Sequence, residues 1–206
     1  MTPEEEQLLA AVASDLRFVA IRQAARGWFS EYADPVRYAS RRVRGLVANA
    51  WLLKHEILAR PIRPLQGPIF GWVHGEAPPD FYELSQILHR RARSRPRLTS
   101  VIQATPKSRW LFGTGGESQR IKLTQASHDL QVAEVYLHCR HRKSEIGLSW
   151  LHEDELPDSW RVRQRPDAAL IDTGGEIQVA IEYGGNYSAE RLFEFHVAMD
   201  SIVMPY

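Results

Sequence analysis

The strongest constraint on the fold of this 206-residue chain is a β-hairpin signal in its C-terminal third. Two strand-like runs, 167–172 and 176–182, flank a Gly-Gly pair, which favours a tight hairpin turn. Regular pairing about that turn places Asp167 opposite Glu182. Because side chains alternate along a strand, one face then carries only apolar residues and is expected to be core. Its members are Ala168, Leu170, Ile177, Val179 and Ile181.

The paired carboxylates indicate a candidate metal site. Like charges placed opposite each other destabilise a sheet, so Asp167 and Glu182 need compensation. A divalent cation would supply it, and carboxylate oxygens favour hard ions such as Mg²⁺ or Mn²⁺. A helix predicted to end near residue 140 carries a third carboxylate, Glu134, in a polar ridge. That ridge either lines a cleft, which would bring Glu134 to the pair, or forms the solvated edge of the helix.

The N-terminal third predicts three helices followed by a hairpin. Capping residues followed by proline mark two of the helix starts, at Thr2-Pro3 and at Asp34-Pro35. The first predicted helix begins at Thr2-Pro3 and has about 14 residues, the second covers 18–29, and the third runs from Asp34-Pro35 to about Asn49. Two predicted strands, 51–60 and 68–73, follow and are joined by a proline-rich loop. This order is that of a winged helix-turn-helix.

The third helix is basic on one side. Its apolar stripe consists of Val36, Ala39, Val43, Leu46 and Val47. Arg37, Arg41 and Arg44 lie on another face, with Arg42 nearby, and Arg60 and Arg63 fall on the predicted wing. A helix with one apolar face and one arginine face suits the major groove of double-stranded DNA, with wing arginines on phosphates. The same pattern also occurs on solvated helices and on winged helices that bind proteins.

Charge divides the chain into two halves. Residues 1–112 hold 17 basic and 10 acidic side chains, and the remainder holds 9 and 15. A basic N-terminal half indicates contact with a polyanion. We predict a further helix over 79–93 and a hairpin pairing 98–104 with 109–112. The glycine-rich segment 113–116 is interpreted as a linker, which gives two domains, 1–112 and 117–206.

The chain shows no signal for export or for membrane insertion. No run is long and apolar enough to span a bilayer, and the first residues are acidic, unlike a signal peptide. Cys139 is the single cysteine, so an internal disulfide is excluded. We therefore expect a cytoplasmic protein without a membrane partner.

The C-terminal motifs resemble the PD-(D/E)XK nuclease core. The resemblance rests on a helix, a strand, Pro166-Asp167 at the head of a hairpin, Glu182 at its end and a final helix. It implies that Asp167 and Glu182 hold the metal and that a helical glutamate, here Glu134, assists. The family places a water-activating lysine two residues after the glutamate, where this chain has Gly184. The expected fold class is therefore α+β, with a winged helix-turn-helix followed by a small nuclease-like α/β domain.

A longer resemblance covers most of the chain. The winged-helix pattern followed by SHDLQVAEVYL, RPDAALID and VAIEYGGNYSAERLFEF is similar to the replication-relaxation family. That resemblance implies a DNA-binding protein of bacterial plasmids or other mobile elements, with a nuclease-like C-terminal part.

Three hypotheses about function follow from the sequence. The first is a DNA-binding protein acting in replication, mobilisation or regulation, whose nuclease-like domain is degenerate and whose DNA binding needs no cofactor. The second is an active Mg²⁺- or Mn²⁺-dependent DNA endonuclease that uses Asp167, Glu182 and Glu134. The third is a winged-helix transcription regulator that acts as a homodimer.

Overall fold

The structure, a computed structural model, describes residues 1–91, 93–113, 116, 120–142, 147–157 and 165–203. Within these ranges the chain forms seven α-helices and two three-stranded antiparallel sheets, which confirms the α+β class. The helices are α1 (Pro3–Ala10), α2 (Ile21–Trp28), α3 (Pro35–Ala48), α4 (Phe81–Arg91), α5 (Pro106–Phe112), α6 (Ala126–His141) and α7 (Ala189–Val203). The strands are β1 (Val19–Ala20), β2 (Leu52–Ala59), β3 (Arg97–Ala104), β4 (Ser149–His152), β5 (Ala168–Ile171) and β6 (Ile177–Ile181).

The chain forms two compact units, each built from two segments. Unit 1 comprises Met1–Pro64 and Arg95–Ser144, and unit 2 comprises Leu65–Ser94 and Glu145–Tyr206. These bounds differ from the predicted domains, because α6 belongs to unit 1 and α4 to unit 2. The predicted linker, 113–116, lies largely outside the described residues. Among the described helices, none combines the length and the apolarity needed to cross a bilayer.

Among the described residues, unit 1 contains five helices, α1, α2, α3, α5 and α6, and a sheet of order β1–β3–β2. Thr2 and Glu5 form the predicted capping box of α1, which continues into a π-helical turn over Ala11–Asp15. Helices α2 and α3 pack against each other, and α6 packs on α2 and β2. Part of the core lies where this sheet meets α6, and its members include Phe18, Ile57, Val101 and Leu130.

The prediction that β2 pairs with residues 68–73 was wrong. Residues 68–73 form no strand, and β2 pairs along its whole length with β3, from Leu52↔Ala104 to Ala59↔Arg97. The strand over 98–104 was predicted, but its predicted partner, 109–112, lies in α5. Thr105 caps that helix and Pro106 opens it, so the segment expected to turn a hairpin starts a helix instead.

Unit 2 consists of a sheet of order β4–β5–β6 together with α4 and α7, which pack against each other. The predicted register of the β5–β6 hairpin is confirmed from Ala168↔Ile181 to Leu170↔Val179, and an irregularity shifts the pairing next to the turn. The prediction of a wholly apolar core face was only partly correct. Ala168 and Leu170 are buried, but Val179 on the edge strand β6 is 43% exposed.

Candidate functional site

Helix α3 carries the exposed arginines of unit 1. Asp34 caps the helix, since its carboxylate accepts the backbone N–H of Arg37 at 3.0 Å, and Pro35 opens the first turn. Ala39, Val43 and Leu46 are buried, whereas Val36, predicted to be buried, is 45% exposed. On the opposite face the structure exposes all three predicted residues, Arg37, Arg41 and Arg44.

Arg42 has a different environment from the other α3 arginines. Its Nε donates to Glu5 Oε1 at 2.7 Å, and the Glu5 side chain is only 4% exposed. Burial raises the pKa of Glu5, but the hydrogen bonds from Arg42 and the Thr2 backbone outweigh it, so the pKa lies below its usual value. Arg42 therefore ties α3 to α1, and we do not retain it among the residues expected to contact DNA.

Arginines also lie where β2 and β3 leave unit 1. Arg60 and Arg63, which were predicted to lie on a wing, follow the end of β2 and are exposed. Arg97, the first residue of β3, pairs with Ala59 and is exposed too, and Arg95 precedes it. The two ends of the β2–β3 connection thus present a second group of positive charges within unit 1.

Glu134 belongs to the packing of unit 1. It is 5% exposed, and its Oε2 accepts hydrogen bonds from Gln23 Nε2 at 3.1 Å and from Arg26. Gln23 Nε2 also donates to the Leu130 carbonyl at 2.8 Å, so this network joins α2 to α6. The polar ridge predicted on α6 is explained here by buried hydrogen bonds, and we do not retain Glu134 as a member of the carboxylate site.

Asp167 and Glu182 meet at the open end of the β5–β6 hairpin in unit 2, as predicted. They flank the last ladder pair, Ala168↔Ile181, and a carboxylate oxygen of each lies within 4.8 Å of one of the other. Asp167 is 7% exposed, and its Oδ2 accepts the backbone N–H of Tyr183 at 2.8 Å. The Tyr187 hydroxyl donates to Glu182 Oε1 at 2.6 Å.

Tyr187 and Arg191 complete this arrangement, and the sequence analysis did not predict them. Arg191 Nη2 donates to the Tyr187 hydroxyl at 3.2 Å, and its guanidinium lies 4.1 Å from the centre of the Tyr187 ring. Burial, together with the nearby Glu182 carboxylate, raises the pKa of Tyr187, so its hydroxyl stays protonated and donates at neutral pH. The backbone N–H of Tyr183 and the hydroxyl of Tyr187 therefore stabilise the carboxylates of Asp167 and Glu182 through hydrogen bonds.

Gly184 lies two residues after Glu182, where the resemblance noted in the sequence led us to expect a lysine. It is buried with φ +76°, a conformation that L side chains rarely adopt. A Cβ atom added there would meet Leu88 Cδ1 of α4 at 3.0 Å. The backbone and the packing of this loop both disfavour a side chain, so the loop is shaped for glycine.

Comparisons with protein-family models, with curated proteins and with solved structures found no match to this chain.

Proposed function

We propose that this chain is a cytoplasmic DNA-binding protein whose unit 1 is a winged helix-turn-helix. Three helices, α1, α2 and α3, precede the β2–β3 pair, and β1 adds a third strand. In such a domain the third helix enters the major groove of double-stranded DNA, and the strand pair approaches the backbone. The order of elements and the packing of α3 on α2 support this assignment.

The observation that carries the proposal is the arginine face of α3. Arg37, Arg41 and Arg44 follow one another at spacings of four and three residues, so they share a face about one turn apart. In the described part of the chain, the side chains of Arg37 and Arg44 make no hydrogen bond or ion pair and remain available to a ligand. Exposed guanidinium groups on a helix suit both base edges and phosphates of duplex DNA.

For unit 2 we propose a nuclease-like scaffold that has lost hydrolytic activity. Asp167 and Glu182 offer the oxygen donors that Mg²⁺ or Mn²⁺ prefers, but Gly184 leaves the motif without its lysine. Arg191 contacts the pair through the Tyr187 hydroxyl, which donates to Glu182. DNA binding then needs no metal. Membership of the replication-relaxation family, with a role in replication, mobilisation or regulation of mobile elements, is part of this proposal.

An active metal-dependent endonuclease is the second candidate. The close approach of the Asp167 and Glu182 oxygens favours it, because two carboxylates can hold an ion that activates water. Incubation of supercoiled DNA with Mg²⁺ or Mn²⁺ distinguishes the two candidates. Cleavage that disappears in both Asp167→Ala and Glu182→Ala would establish the nuclease, whereas intact DNA in a stable complex supports the degenerate scaffold.

The DNA-binding proposal is tested by fluorescence anisotropy with a labelled DNA duplex over a range of salt concentrations. The test variant is Arg37→Ala with Arg44→Ala, which removes two charges from the face of α3. The matched control is Arg120→Ala with Lys122→Ala, which removes two exposed charges elsewhere in unit 1. We expect the test variant to reduce the slope of log K against log salt by about 1.8.

The slope of log K against log salt for the control variant is expected to differ from that of the unmodified protein by less than about 0.9, the contribution of one ionic contact. Equal losses in the two variants would mean that binding follows net charge rather than the face of α3. Absence of binding by the unmodified protein at low salt would refute the proposal altogether.

A further inference from the structure

The three arginines on the face of α3 are not equivalent, because Arg41 is held by aromatic side chains. Its guanidinium carbon lies 5.0 Å from the centre of the Tyr38 ring. Tyr38 is stacked on Tyr32, with ring centres 3.6 Å apart and planes inclined by 11°. The centre of the Tyr38 ring also lies 5.6 Å from the centre of the ring of Phe29, which is fully buried. Arg41 is therefore connected through stacked rings to the core of unit 1.

The attraction between the Arg41 guanidinium and the face of the Tyr38 ring favours one position of the Arg41 side chain. Arginine stacks on aromatic faces, and a side chain already held in place loses less conformational entropy when it binds. Arg37 and Arg44 have no comparable contact among the described residues. Of the three arginines, Arg41 is thus the one that is pre-organised for a ligand of defined geometry. Arg37 and Arg44 suit phosphates, which accept hydrogen bonds from many directions.

The hydroxyl of Tyr32 stays protonated at neutral pH. The hydrogen bond between the Tyr32 hydroxyl and the Tyr38 side chain is the main cause that raises the pKa of Tyr32, to about 12. Tyr32 therefore adds no negative charge beside the arginine face of α3 at neutral pH.

We propose that Arg41 is the specificity-determining residue of α3 and that it recognises a guanine in the major groove, with Tyr38 and Tyr32 as positioning residues. This inference rests on the proposed DNA binding. Guanine presents two acceptors, O6 and N7, on its major-groove edge, and the two parallel N–H groups of a guanidinium match them. Such a bidentate contact needs a guanidinium held in one position, which the attraction to the Tyr38 ring favours.

The experiment is selection from randomised DNA duplexes, followed by affinity measurements on selected and guanine-substituted sites. The unmodified protein is expected to prefer guanine at one position of each site by about tenfold or more. Arg41→Lys keeps the charge but loses the planar pair of donors, and it should lose that preference. Tyr38→Leu should lose it too, whereas Tyr38→Phe, which keeps the ring, should retain it.

The control variant is Arg44→Ala, which should weaken binding to every duplex alike and keep the guanine preference. Thermal unfolding checks that the variants are folded, and Arg41→Lys tests the inference even if Tyr38→Leu fails to fold. Retention of the preference in Arg41→Lys, or DNA binding by the unmodified protein without any base preference, would overturn the inference. Either result would leave the proposed function intact, whereas absence of all DNA binding would refute the proposed function itself.

Discussion

Truncation of Arg42 and truncation of Arg44, two residues apart on α3, are expected to affect different properties of the protein. Arg42 is 32% exposed and pairs with Glu5, whereas Arg44 is exposed and has no hydrogen bond or ion pair with a described residue. The substitutions Arg42→Ala and Arg44→Ala remove the same chemical group from the same helix. The first should therefore lower stability and the second should lower DNA affinity.

The size of the stability loss follows from the surroundings of Glu5. Removing one partner of a fully buried ion pair costs about 3–5 kcal/mol. Here Arg42 is partly exposed, and Glu5 Oε2 keeps the Thr2 backbone N–H at 2.8 Å, so we expect about 2 kcal/mol for Arg42→Ala. Arg44→Ala should change the free energy of unfolding by less than about 0.5 kcal/mol, as is usual at exposed positions.

Urea unfolding followed by far-ultraviolet circular dichroism measures the first effect, and salt-dependent anisotropy with duplex DNA measures the second. We expect Arg44→Ala to lower the salt slope by about 0.9, the value of one phosphate contact, and Arg42→Ala to leave the slope unchanged. If both variants lowered the salt slope by the same amount and neither changed the free energy of unfolding, the distinct roles assigned to these arginines would be refuted.

Three further predictions follow from the buried groups. The pKa of Glu5 lies below its usual value of 4.5, so the stability supplied by its ion pair is complete above pH 4.5 and is lost as pH falls through the lowered pKa. The difference in urea-unfolding free energy between the unmodified protein and Arg42→Ala should therefore shrink as pH falls below 4.5. Glu134→Ala should destabilise the protein by about 1–2 kcal/mol in the same assay, because it removes acceptors for Gln23 and Arg26, and it should leave DNA affinity unchanged. Gly184→Ala should cost about 1–2 kcal/mol in thermal or urea unfolding, because φ is +76° there, and full stability in this variant would contradict the strain assigned to the loop.

Local signals in the sequence predicted most elements correctly. The Thr2-Pro3 and Asp34-Pro35 starts were confirmed as helix caps, because capping depends on neighbouring residues alone. The Gly-Gly turn likewise set the β5–β6 register, which brought Asp167 and Glu182 together. These predictions succeeded because the determining contacts lie close in sequence.

Long-range pairing was not predictable in the same way. The partner of β2 begins at Arg97, beyond an insertion that contains α4, so the nearest strand-like run was chosen wrongly. Glu134 meets Gln23, 111 positions earlier, and no periodicity in α6 identifies that partner. Val179 shows a related limit, since alternation indicates which residues share a face but not whether another element covers it.

The central claim is that unit 1 binds duplex DNA through α3, while unit 2 does not cleave it. It is tested most directly by one mixture of the protein, supercoiled DNA and Mn²⁺ or Mg²⁺, run on gels for binding and for cleavage beside Asp167→Ala and Glu182→Ala. We predict a retarded complex with intact DNA in all three proteins. Metal-dependent cleavage that both substitutions abolish, or no complex at any salt concentration, would contradict the account.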